Sequence, residues 1–122
     1  MQEKITVDEL NFTLKHVGVN CKNAQEAEQT AGTFAQIFGL EKKNGNSSVF
    51  AGTALEAMKE PYLGKNGHIA MGTSDIEKAK KYLEQNGVVF NEDSAKYKDG
   101  KLLAIYLQDE IGGFAVHLVQ SK

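Results

Sequence analysis

Two stretches of the chain begin alike: HVGVNC from His16 and HIAMGTS from His68. In each, a histidine leads an alternating run, with Val17 and Val19 in phase in one and Ile69 and Met71 in the other. Alternation of this kind marks a strand with one buried face. His16, Gly18 and Asn20 share the opposite face of the first strand, as His68, Ala70 and Gly72 do in the second. A repeat constrains the fold more than any bulk property, because one supersecondary unit must then be built twice.

The segments after these two strands are repeated as well. After the first comes NAQEAEQTAGTFAQIFG, whose Ala27, Ala31, Phe34 and Phe38 recur at helical spacing, with Gly39 placed to end the helix. After the second comes SDIEKAKKYLEQNG, where Ser74 and Glu77 form an S-x-x-E capping box and Ile76, Ala79 and Leu83 make the apolar stripe. Three short strands are then expected in each half: Leu40 to Lys43, Ser48 to Ala51 and Ala54 to Met58, then Val88 to Asn91, Leu102 to Gln108 and Phe114 to Gln120. The turns KDG and GG separate the last three. Ile5 to Val7 is read as a short edge strand. The only proline, Pro61, falls in the linker between halves, where it breaks no ladder.

Each half therefore reads βαβββ. The fold class is α+β: two βαβββ modules form a cupped mixed β-sheet with helices on the outer face. One domain spans residues 1–122, with module one at about 12–60 and module two at about 67–121. A length of 122 residues suffices for a core without staples. The net charge of −2 gives no footprint for nucleic acid or for an anionic membrane surface. The lone Cys21 leaves no internal disulfide and suits a reducing, cytoplasmic setting. No apolar run approaches the ~18 residues of a membrane span, and MQEK does not resemble a signal peptide.

If the helices cover one face of the sheet, residues of opposite parity line the other. His117 in FAVHLVQ opposes Val116 and Leu118 in parity, and Glu56 opposes Leu55 and Ala57. The concave face then receives His16 and Glu56 from one module, His68 and His117 from the other. Taken alone, His117 is a core histidine with a backbone partner. All three histidines of the chain at repeat-equivalent strand positions, with an acid in the fourth, form instead a ligand set for one divalent first-row metal ion (Zn, Ni, Co, Mn or Fe). Four protein donors leave one or two positions open on a five- or six-coordinate ion, which metal catalysis needs. Asn20, Tyr106 and Lys96 are candidate substrate-binding residues on the cup. Ser94, Lys96 and Tyr97 are read as a loop over its opening.

This pattern resembles the vicinal oxygen chelate superfamily, which includes glyoxalase, methylmalonyl-CoA epimerase, extradiol dioxygenases and the bleomycin-resistance proteins. The resemblance spans about residues 12 to 120. It implies metal ligands at His16, Glu56, His68 and His117. The fourth departs from the pattern: the last ligand of glyoxalases is usually glutamate, so a donor is kept but a charge and a candidate base are removed. The runs LKHVGVN, GNSSVFAGT and PYLGKNGHIAMGT are similar, more narrowly, to a chelate-type domain associated with bacterial aldolases for 2-keto-4-hydroxyglutarate and 2-keto-3-deoxy-6-phosphogluconate. The aldolase barrel itself, with its Schiff-base lysine, does not fit in 122 residues.

The function expected is that of a metal-dependent, glyoxalase-like enzyme acting on a small 2-oxo or sugar acid through a metal-stabilised enolate. Glu56 is the candidate catalytic proton shuttle if it detaches from the metal during turnover, and isomerase, epimerase and lyase chemistry all share the enolate step. The expected partners are a small oxo-acid substrate, a second copy in a homodimer and an associated aldolase. The competing expectations are a non-catalytic small-molecule-binding or aldolase-associated module of the bleomycin-resistance type, and a metal-stabilised structural domain.

Overall fold

The computed structural model describes residues 4–121. After a short 3-10 helix at Val7–Leu10, the chain runs β1 (Thr13–Asn20), α1 (Ala24–Phe38), β2 (Lys42–Asn44), β3 (Ser48–Ala51) and β4 (Leu55–Met58). It continues as β5 (Gly67–Thr73), α2 (Ile76–Gln85), β6 (Phe90–Lys98), β7 (Lys101–Leu107) and β8 (Phe114–Gln120). The eight strands form one sheet in the order β2-β3-β4-β1-β5-β8-β7-β6. In each half the last strand returns to lie parallel beside the first, β4 on β1 and β8 on β5. The halves join where β1 and β5 pair antiparallel. The architecture is the mixed α+β sheet that the repeat implies.

Both helices begin on side-chain caps. The Asn23 carboxamide oxygen accepts from the Glu26 N–H at the start of α1, and Gly39 ends that helix in the left-handed region. At α2 the cap is Asp75, which accepts from the Lys78 N–H at 3.1 Å. Ser74, expected to cap, is instead turned to the N-terminal segment, with its N–H on the Leu10 carbonyl and its hydroxyl accepting from Asn11. Glu77, the other half of the expected box, accepts from the Leu102 N–H of β7.

Three other expectations change. Ile5 to Val7 is not an edge strand; Val7 opens the 3-10 helix, which Thr6 precedes as its N-cap, and Ile5 and Leu10 are buried in the core beneath α2. On α1 the buried residues are Ala27 and Ala31, whereas Phe34 and Phe38 stack on each other with much of their surface exposed. Fifteen helical residues span ~22 Å and a four-residue strand only ~13 Å, so the last turns of α1 outrun the strands beneath. Finally, β6 extends through Ser94, Lys96 and Tyr97, which belong to a strand and not a loop. Its register on β7 shifts between Asn91 and Lys96. Ser94 spans the irregularity, accepting from the Tyr106 N–H and donating to the Asn91 carbonyl. Past Phe90 this edge strand offers only Ala95 and Tyr97 among polar residues, too few to set a period-two signal.

Candidate metal centre on the concave face

The ladder registers place the concave-face residues in two adjacent rows. One runs across the strands as Phe50, Glu56, Gly18, His68 and Ala115, the other as His16, Ala70, His117, Tyr106 and Asn91. In each row two candidate ligands stand two strands apart, with a small residue between them. From these positions the three imidazoles converge, with the Glu56 carboxylate against two of them. His68 Nε2 stands 3.0 Å from Glu56 Oε1, His16 Nε2 stands 3.4 Å from the same oxygen, and the two ring nitrogens are 3.3 Å apart. His16, His68 and His117 each offer a donor atom within 4.8 Å of the others.

The electrostatics suit a cation. Burial holds the His117 imidazole down to about 4, with the neighbouring histidines and Lys96 adding to the effect. Burial also lowers His16, against the opposing pull of Glu56. Both rings are therefore neutral at pH 7 and keep a free lone pair. Burial would raise the Glu56 carboxyl, but hydrogen bonds from His68 and from the Ser48 hydroxyl outweigh it and hold Glu56 below the ordinary range. The Ser48 bond is 2.7 Å, to Oε2, which leaves Oε1 to face the histidines.

Two tests of fit favour a metal. His117 Nε2 is buried and has no hydrogen-bond partner in the protein, the state of a donor awaiting an acceptor of its lone pair. Neighbouring donors ~2.1 Å from one ion lie ~3.0 Å apart at the right angles of a six-coordinate ion and ~3.4 Å apart at tetrahedral angles. The separations of 3.0, 3.3 and 3.4 Å among Glu56, His16 and His68 fall in that range, while His117 stands within 4.8 Å of the other two imidazoles.

Above the centre lies a cavity of about 420 Å³ lined by the four candidate ligands with Ser47, Met58, Tyr62, Lys96 and Tyr106. Tyr106 stacks on His117 at 4.5 Å between centroids, nearly parallel. Burial, with Tyr62 and Glu56 nearby, pushes its phenol up to about 12, so it remains a hydrogen-bond donor and not a base at neutral pH. Lys96 thus reaches the cavity from a strand. Asn20 does not line it. Its amide is committed to the inter-module linker, donating to the Gly64 carbonyl at 2.9 Å and accepting from the Tyr62 N–H at 3.1 Å. A polar residue at the end of β1 meets unpaired linker backbone first, and that satisfies it.

Sequence reasoning missed Ser48 and Tyr62. Ser48 shares the parity of Phe50 on a recognised strand, so the alternation could have found it. Tyr62 sits in the linker, where no periodicity exists to point its ring edge-on at His68 and Tyr106.

No family model matches the sequence, and no curated protein matches it either. Solved structures do. A hypothetical protein from Bacillus halodurans C-125 aligns with a TM-score of 0.61 at 17% identity, over 92% of this chain and 96% of that one. A variant of Streptomyces coelicolor methylmalonyl-CoA epimerase in complex with 2-nitronate-propionyl-CoA gives 0.59 at 19% identity, covering 89% and 94% of the two chains. The chain has the epimerase's fold. A glyoxalase/bleomycin resistance protein/dioxygenase superfamily member from Vibrio splendidus 12B01 aligns at 0.50 with 15% identity, over 89% of this chain and all of that one. These identities speak to the fold, and the chemistry must come from the cup itself.

Proposed function

We propose that the protein is a metal-dependent enzyme of the vicinal oxygen chelate type, which moves a proton at the carbon beside a carbonyl of a small 2-oxo or sugar acid. The observation that carries this reading is the convergence of three imidazoles and one ionised carboxylate at the base of a cavity. His16, His68, His117 and Glu56 would hold one divalent first-row ion. When bound, such an ion supplies Lewis acidity to two neighbouring substrate oxygens.

The remaining roles belong to the chain. Glu56 is the proton carrier once it detaches from the metal: Ser48 anchors one carboxylate oxygen, and the other, when released, would take a proton from carbon and return it. Lys96 supplies the positive charge for a substrate carboxylate, and the Tyr106 phenol donates a hydrogen bond to a substrate oxygen. Proton transfer of this kind is shared by epimerases, isomerases and lyases, and a methylmalonyl-CoA epimerase has the same fold. A cavity of about 420 Å³ suits a compact metabolite. Homodimerisation and an aldolase partner belong to the same proposal, the former supported by the exposed Phe34, Ile37 and Phe38 on α1. No helix among the described residues is long and apolar enough to cross a membrane.

Elemental analysis of protein purified without added metal tests the site. Wild type is expected to carry close to one first-row ion per chain, and His117→Ala a clear deficit. Incubation of the loaded protein with 2-oxo acids in deuterated water then tests the chemistry. Exchange at C3, abolished by Glu56→Gln, supports the enzyme. Metal without exchange on any candidate acid leaves a binding module, and negligible metal in both proteins overturns the site.

A further inference from the structure

We propose that Gly18 is a positioning residue for the metal site: the bare backbone at this position is the seat of the His68 ring. The inference rests on the metal reading above, but the contact that supports it lies within the protein. Neighbouring strands are ~4.8 Å apart, so the backbones of Glu56 on β4 and His68 on β5 stand ~10 Å apart across β1. Their donor atoms are nevertheless 3.0 Å apart. Each side chain must lean inward over the residue between them in the row, and that residue is Gly18.

A Cβ at position 18 would lie 2.6 Å from His68 Nε2 and nearer still to Cε1 and Nδ1. The ring, only 4% exposed, has little room to give way. Backbone conformation does not call for glycine here, because the φ of Gly18 is not positive. A glycine inside a strand weakens it, so its presence in β1 needs another cause. The imidazole supplies one. Its Nδ1 lies buried against the bare strand with no hydrogen-bond partner, so the ring is not held there by hydrogen bonding at that nitrogen. In the other row the place between His16 and His117 is taken by Ala70, whose buried Cβ is accommodated, so the demand for a bare backbone is particular to the His68 ring.

The test compares wild type, Gly18→Ala, His68→Ala and the double variant, by Co²⁺ titration with visible absorption and by thermal unfolding of the metal-free proteins. Gly18→Ala is expected to weaken Co²⁺ binding about tenfold or more, as displaced ligand supports do, with an altered d–d spectrum. It should also lower the metal-free unfolding midpoint. In the His68→Ala background the same substitution should cost neither midpoint nor further Co²⁺ affinity, since the ring it strikes is gone. A Gly18→Ala protein that binds Co²⁺ as wild type does, or equal losses with and without His68, overturns the assignment. If Gly18→Ala fails to fold, recovery in the double variant supports the proposal and failure there overturns it. Wild type that binds no Co²⁺ defeats the proposed function, whereas the dependence of Gly18 on His68 is still decided by the metal-free midpoints.

Discussion

Behind the first half of the sheet, α1 sets Ala27 and Ala31 against Cys21, Val49, Ala51 and Ala57. Behind the second, α2 sets Ile76 and Ala79 against Phe90, Leu102, Ile105 and Leu118, and the N-terminal segment adds Ile5 and Leu10. The same βαβββ plan thus encloses a core of small side chains on one side and of large ones on the other. Burial of a large aliphatic or aromatic side chain contributes ~1.5–3 kcal/mol, an alanine methyl much less. The N-terminus strengthens the imbalance: the Leu10 carbonyl accepts from the Thr73 hydroxyl at 2.6 Å and from the Ser74 N–H, which pins it to the second half. The second half is the scaffold. The first half carries His16 and Glu56, with Glu56 on a strand of four residues. A bound metal would therefore contribute most to the first half, since the proposed ligands would tie β1 and β4 to β5 and β8.

The largest effect should come from the scaffold. Ile105 is fully buried in the second core, and Ile105→Ala is expected to lower unfolding stability by ~2–5 kcal/mol. Val49, equally buried in the first core, loses two methyl groups in Val49→Ala, about 1.5 kcal/mol of transfer free energy to which a smaller cavity adds. Urea unfolding of both variants reads the difference. Equal losses would remove the contrast between the halves.

Metal loading probes the same contrast. At a free ion concentration one hundred times its dissociation constant, binding adds ~2.7 kcal/mol to the folded state. Local opening of the thinly packed half should feel this most, because openings there separate Glu56 from the histidines. Amide exchange in residues 48–58 is expected to slow on loading by more than exchange in residues 101–107. Uniform slowing across both would show that the first half does not open on its own.

How much of this was legible depended on periodicity. The strands that lead each half were readable because Val17/Val19 and Ile69/Met71 alternate against residues of the concave face, and that parity also brought His16, Glu56, His68 and His117 to one surface. Legibility failed where position depends on a distant partner. Asn20 has the parity of a cup residue, yet linker carbonyl and N–H groups more than forty residues away in sequence claim its amide. Phe34 and Phe38 keep the spacing of a core stripe, but strand length, not helix pattern, decides what lies beneath them. Residues 92–98 offered mostly polar character, which an edge strand and a loop share. The imbalance between cores was hidden as well, since nothing local in Ile5 or Leu10 says that the N-terminus completes the second module and not the first.

Protons give the smallest effect, and they approach both halves through the same cluster. His117 and His16 have folded values below the unfolded 6.5, so the unfolded chain takes up protons first. Stability from this source is complete above pH 6.5 and is lost as pH falls, over the window from 6.5 to about 4 for His117. Glu56, also held below its unfolded 4.5, contributes stability that is lost as pH falls beneath that value. All three therefore act in one direction, with partial exposure at His16 and Glu56 screening their share. The unfolding midpoint of the metal-free protein should decline steadily from pH 7 to pH 4. His117→Gln, from the second half, should flatten the upper part of that decline more than His16→Gln, from the first, because the deeper burial belongs to His117. Glu56→Gln should remove its own share of the decline below about pH 4.5 and steepen the decline above it, because its charge no longer holds His16 and His117 up. A midpoint that stays level between pH 7 and pH 5 would mean that water reaches the imidazoles freely, and a cup that wet would not keep His117 Nε2 as an unpaired donor.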